Sequence, residues 1–209
     1  MSTNPSTSCT AFAGNRQIAC GDLRLVALKA WEAAHSDQLA PLLIFDDQTS
    51  KLIDIDFRGS AEDLSDRLSK MEMAAAPTSD PTTSDGAKRG PGRPRLGVVA
   101  RDVTLLPRHW DWLGTQPGGA SVALRKLVEQ ARKSNQGADR LRDAQEAAYR
   151  FMSAMAGNEA GFEEAARALF AGNRELFSRH VGSWPIDVGN HAQKLAAPAF
   201  EEVWSRSAR

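Results

Sequence analysis

"CTAFAGNRQIACGDLRLVALKAW", residues 9–31, decides the fold class. Gly14-Asn15 separates two short runs of strand-compatible residues, the signature of a two-residue hairpin turn. Asp22 then precedes Leu25, Val26, Leu28, Ala30 and Trp31, whose spacing predicts an N-capped helix over 22–36. A hairpin feeding directly into a helix points to an α+β domain. A tight hairpin also places Cys9 opposite Cys20, where a cross-strand disulfide could close. The alternative is two small buried apolar groups in a reducing cytosol.

Beyond the helix, Pro41 is a breaker, and "LLIFDD" (42–47) predicts a short buried strand. "KLIDIDFRG" (51–59) alternates Ile53, Ile55 and Phe57 with Asp54, Asp56 and Arg58, as a half-solvated strand does. Gln48 to Ser50 makes the turn between them. Ser60 followed by Asp63 resembles a capping box and opens a helix through about Met73. The expected unit is a ββαββα domain over 9–73, behind a polar tail of residues 1–8. Asp46, Asp47, Asp54 and Asp56 flank the second hairpin. They are either a site for a hard cation or the polar face of the strand pair.

Residues 74–97, "AAAPTSDPTTSDGAKRGPGRPRLG", are dense in Pro, Ser, Thr and Gly and have few large apolar groups. Such a stretch cannot bury enough surface to offset its ordering entropy, so it is expected to be a disordered linker. Its end is cationic. Residues 88–133 hold ten Lys/Arg against Asp102, Asp111 and Glu129, a net of +7 inside a chain whose formal net charge is zero. Gly92-Arg93-Pro94 resembles the core of the AT-hook, a motif of minor-groove DNA-binding proteins. Proline and glycine keep such a backbone thin and extended, and arginine meets the negative potential of a narrow A·T groove. Lys88, Arg89 and Arg95 match the flanking phosphate-facing cations. Pro91 stands where stronger hooks carry a second arginine. The competing reading is a solvated basic linker.

The next segment is expected to be a strand–helix–helix unit over 98–134. "VVARDVTLL" (98–106) favours a strand, Pro107 suits the first turn of a helix over 107–116, and "PGGA" turns the chain. Ser121 is the expected cap of a second helix, with Val122, Leu124, Leu127, Val128 and Ala131 inward. This order resembles a ribbon-helix-helix unit, whose strand pairs with a second chain and enters the major groove. That reading requires a homodimer; the alternative is an intramolecular core. With Val103 and Leu105 turned inward, the groove-facing set is Asp102, Thr104 and Leu106. Asp102 would repel phosphate, Thr104 is the natural base reader, and Arg101 joins it only if the strand is bulged or begins earlier. Arg108, Arg125 and Lys126 are candidate phosphate contacts, with Arg132 and Lys133 beside them. Trp110 and Trp112 are either a base-stacking platform or packing groups.

After "NQGA" (135–138) a helical domain is expected over 139–206. Its first helix, 139–156, has Ala144, Ala147, Ala148, Phe151, Met152 and Met155 as its apolar stripe. Two shorter helices and one disturbed by Pro198 follow. At 42% apolar and 25% charged residues, the 209-residue chain suits one large domain or a few small ones. No apolar run approaches the ~20 residues that span a bilayer, and no signal peptide is read, so a cytoplasmic setting without membrane contact is expected. His35, His109, His180 and His191 are scattered. There is no nucleophile elbow, Walker loop, HExxH or Cys/His cluster, so neither catalysis nor a cofactor is expected.

Together "LIFDDQTSKLIDIDFRG", "GRPRLGVVARDVTLLPRHWDWL", "QPGGASVALRKLVEQAR" and "RALFAGNRELF" resemble an uncharacterised bacterial family, one of the numbered domains of unknown function. That resemblance implies a bacterial, cytoplasmic setting and no particular activity. The residues themselves point to a non-catalytic, dimeric DNA-binding protein preferring A·T-rich minor grooves. A second expectation is a protein-interaction module. It would use a C-terminal surface around Phe151, Phe170, Phe177 and Trp184, with 74–97 as a plain tether.

Overall fold

The structure is a computed structural model that describes residues 8–36, 40–75 and 101–207. The fold is α+β: a three-stranded antiparallel sheet and seven helices among the described residues. Strands β1 (Ser8–Ala13) and β2 (Arg16–Asp22) form the hairpin around Gly14, whose φ is 56°, and β3 (Leu42–Asp46) pairs with the other edge of β1. The order β2-β1-β3 places β1 in the centre.

The hairpin is not regular. Ala13 pairs with Arg16 and Phe12 with Gln17, but the register shifts between Ala11 and Phe12. From there Ala11 faces Ala19 and Thr10 faces Cys20, so Cys9 lies opposite Gly21. A one-residue bulge sends every later side chain of β2 to the other face. The expected Cys9–Cys20 alignment is therefore corrected: Cys9 is buried, Cys20 is exposed, and both are free thiols.

Helix α1 (Leu23–Ala34) begins where the sequence places it, with the Asp22 carboxylate accepting from the Arg24 N–H at 2.9 Å. Helix α2 (Ala61–Ala75) opens on a complete capping box. Ser60 donates its N–H and hydroxyl to Asp63, each at 2.9 Å, and the Asp63 N–H donates to Ser60 Oγ at 3.2 Å. Between β3 and α2 the expected fourth strand is reduced to one antiparallel bridge, Phe45 with Leu52. Its alternation persists nonetheless: Ile55 is buried, Ile53 and Phe57 are half-buried, and their neighbours are exposed. Local polar bonds replace a ladder there. Asp56 accepts from the Arg58 N–H at 3.0 Å and from its guanidinium, and Arg67 of α2 reaches both Asp56 and the Arg58 carbonyl.

The remaining helices are α3 (Pro107–Gly114), α4 (Gly119–Met155), α5 (Phe162–Phe170), α6 (Arg174–Val181) and α7 (Ile186–Ser207). Helix α4 corrects two expectations. It runs unbroken through 135–138, because a single glycine costs a helix only about 1 kcal/mol and no proline is present to stop it. It also starts at Gly119, two residues before Ser121. Gly118 and Gly119 make the turn with φ of 85° and 74°, and Ser121 instead receives Arg125. Pro198 lies inside α7 without ending it.

The chain forms two compact units. The first joins residues up to 73 with those from 136 onward; the second covers 74–135. Within the first unit the sheet has two buried faces. Cys9, Ala11 and Ile44 pack with Val26, Ala27 and Ala30 of α1, with Ile55, and with Leu64 and Leu68 of α2. Phe12 and Phe45 point the other way, into a core built by Phe151 and Met152 of α4, Leu169, Phe177, Val188 and Phe200. Residues 9–73 and 139–206, expected as separate domains, thus share one core across the sheet. Phe151 is its centre, with ring centroids 5.4 Å from Phe12 and 5.1 Å from Phe45.

Candidate nucleic-acid interface

The hook residues Lys88, Arg89, Gly92, Arg93, Pro94 and Arg95 lie outside the described residues, as does the start of the expected 98–106 strand. Residues 101–106 are described and are not a strand. Val103, expected to turn inward, is exposed, Leu105 is half-buried, and Arg101 and Thr104 are both exposed. Among the described residues, 101–106 pair with no strand of their own chain. Leu106 instead caps α3 in an extended conformation, with Pro107 at its first turn.

Helices α3 and α4 then carry the other candidates. Arg108, Arg125 and Lys126 are exposed, as are Arg132 and Lys133. Arg125 bends back to Ser121, donating to its carbonyl and its hydroxyl at 3.1 Å each, and Arg132 pairs with Glu129 at 3.4 Å. Arg101, Arg108, Lys126 and Lys133 form no ion pair among the described residues. Lys126 and Lys133 are seven residues apart and so share one face of α4, roughly 10 Å apart along its axis. They line a shallow groove with Glu129, Gln130 and Ser134.

The second unit is also unusually apolar outside. Its buried apolar residues are Leu113 and Ala123 among those described, while Trp110 and Trp112 are 43% and 51% exposed. Val103, Leu106, Leu127 and Val128 are exposed as well. No residue of the inward stripe expected for the second helix is buried: Val122 and Leu124 are half-buried, Leu127, Val128 and Ala131 are exposed, and the buried position is Ala123. The C-terminal aromatic surface fares differently. Phe151, Phe177 and Trp184 are core residues, and only Phe170 of that set is exposed, stacked on Tyr149 at 5.6 Å.

The acidic residues of the second hairpin do not converge. Asp46 caps its own turn through the Gln48 and Thr49 N–H groups, and Asp56 is held by arginines that draw its carboxyl down to about 2. Asp47 accepts from Thr10 at 2.6 Å, from Ser8 at 2.8 Å and from Lys194 of α7 at 3.5 Å. Burial opposes the ionisation of Asp47, but those hydroxyls and the Lys194 ammonium outweigh it and hold its carboxyl below the usual range. Among the described residues no cluster of three His, Cys, Asp or Glu could hold a metal ion, and no helix is long and apolar enough to cross a membrane.

Residues 8–196 match the model of a family described as an uncharacterized protein conserved in bacteria (DUF2239). The chain belongs to DUF2239. No curated protein and no solved structure matches it. The DUF2239 match begins at β1 and ends inside α7, so it contains both units.

Sequence reasoning does not single out a buried histidine of the first unit. His191, one of four scattered histidines, is 3% exposed, and its Nε2 has no hydrogen-bond partner. The α7 stripe of Val188, Ala192 and Leu195 is the available signal, because His191 lies on the same helical face as these buried groups.

Proposed function

We propose that this DUF2239 protein is a non-catalytic, DNA-binding protein that acts as a homodimer. The observation that carries the reading is the cationic excess of residues 88–133. Residues 88–133 are net +7, and Arg101, Arg108, Lys126 and Lys133 stand exposed without ion pairs among the described residues. Cations left unneutralised on one unit of a chain with zero net charge are available to displace counterions from phosphate. The Gly92-Arg93-Pro94 hook supplies the minor-groove grip and Arg95, Arg89 and Lys88 its phosphate contacts. Exposed Trp110, Trp112, Leu127 and Val128 support self-association, since the described residues of this unit bury little apolar surface and gain from a second copy.

Fluorescence titration on A·T-rich and G·C-rich duplexes at several salt concentrations tests this reading. The expected log–log salt slope is roughly −4 or steeper, at about −0.9 per neutralised phosphate. Arg93→Ala should cost about 1–3 kcal/mol and relax the A·T preference, while Lys126→Ala with Lys133→Ala should weaken both duplexes equally. Weak binding to both duplexes, indifferent to salt and to Arg93→Ala, overturns it. Sedimentation of the free protein as a strict monomer overturns the dimer.

A further inference from the structure

The seat of α7 on the sheet is built around a buried histidine whose Nε2 has no hydrogen-bond partner. His191 is packed edge-on to Phe12 of β1 at 5.5 Å and against Phe151 of α4 at 4.6 Å. The titratable group of β1, Cys9, packs on the opposite face of the sheet, with α1 and α2. On α4, the neighbouring Arg150 is turned to the Thr49 carbonyl. The charged groups that face it are Asp47, after β3, and Lys194, one turn later on its own helix. Asp187, one turn earlier on α7, accepts from the Gln17 N–H at 2.9 Å. The Asp47 oxygens are already taken by Thr10, Ser8 and Lys194. A cationic imidazole here would be attracted by Asp47 and repelled by Lys194, and the attraction does not offset the cost of burying the charge.

We propose that the α7–sheet junction is an acid-sensitive joint: protonation of His191 loosens α7 from the sheet and uncovers the aromatic face of Phe12, Phe45 and Phe151. The device is independent of the DNA-binding reading. It acts by adding a desolvated charge to a core that holds only apolar groups and one committed carboxylate.

The direction follows from linkage. Burial, reinforced by Lys194 and resisted by Asp47, pushes the imidazole down from its ordinary 6.5 to about 4. An opened α7 therefore binds a proton more readily than a seated one as the pH falls below 6.5. The opening equilibrium rises about 20-fold by pH 5 and about 120-fold by pH 4 relative to pH 7. Asp47 does not contribute over most of that window, because its carboxyl is held below the ordinary 3.8 and stays ionised.

Hydrogen exchange of the full chain, read by mass spectrometry at pH 7.5, 6 and 5 and corrected for intrinsic rates, tests the joint. Protection across 186–207 is expected to fall about 30-fold between pH 7.5 and 5. Two non-titrating replacements, His191→Phe and His191→Gln, should abolish that fall. Should one of them fail to fold, the other supplies the comparison. Protection of α7 that is unchanged at pH 5 in the wild type overturns the proposal. So does a fall that persists in the replacements.

Discussion

Phe151→Ala tests whether the two ends of the chain are one structure. Phe151 is fully buried and meets Phe12, Phe45 and His191 with ring centroids 5.4, 5.1 and 4.6 Å away. Phe12 and Phe45 come from the sheet, His191 from α7 and Phe151 from α4, so one ring joins three parts of the sequence. Truncation removes a large apolar transfer term and opens a cavity that rigid neighbours fill poorly, a loss of about 4 kcal/mol. At about 2–4 °C per kcal/mol for a unit of this size, the melting temperature should fall by roughly 12 °C. Hydrogen exchange of peptides from 8–22 and from 186–207 across a urea series is the assay. Both segments should lose protection at the same midpoint, and both midpoints should move together in the variant. A hairpin that keeps its protection while the C-terminal helices unfold would refute the shared core, and with it the placement of both halves in one unit.

Two further outcomes follow from the N-terminal half. Ser60→Ala removes the hydroxyl that receives the Asp63 N–H, and should cost about 1 kcal/mol and fray the first turn of α2 in exchange measurements. The two thiols should differ sharply. Burial, reinforced by Asp47, Asp22 and Asp46, pushes Cys9 up to about 12, whereas Cys20 is exposed. Alkylation of the native protein at pH 8 should label Cys20 alone, with Cys9 reacting only in denaturant; equal labelling, or a loss of both thiols that a reductant reverses, contradicts the bulged register.

The legible parts of the fold are those whose information is local. Asp22 and Ser60 cap helices with their own side chains, and Gly14-Asn15 turns the hairpin with its own backbone. The alternation of Ile53, Ile55 and Phe57 survives as a burial pattern even though no ladder forms. Partition into domains is not local. The apolar stripe of 139–156 marks a buried face but not its partner, and Phe12 looks in sequence like any hairpin aromatic. Their meeting across about 140 residues is a long-range choice, made because β1 is central and must cover both its faces. The bulge at Ala11/Phe12 is invisible for a related reason: one extra residue changes which face Cys20 takes without altering composition.

The same distinction separates the two candidate functional features. Cationic excess is additive along a chain, so the +7 of residues 88–133 can be counted from the amino-acid sequence, and exposure of Arg101, Arg108, Lys126 and Lys133 only places it on the surface. The strand expected to carry Arg101 and Thr104 depends on a ladder with a second chain, which composition does not encode, and within its own chain 101–106 joins no sheet among the described residues. His191 is the opposite case. A histidine on an apolar stripe carries no signal of its own, and its chemistry arises only when Phe12, Phe151 and Lys194 close around it. Burial gives this residue its leverage: a second proton on the imidazole is costly among Phe12 and Phe151, where the nearest carboxylate already has three donors.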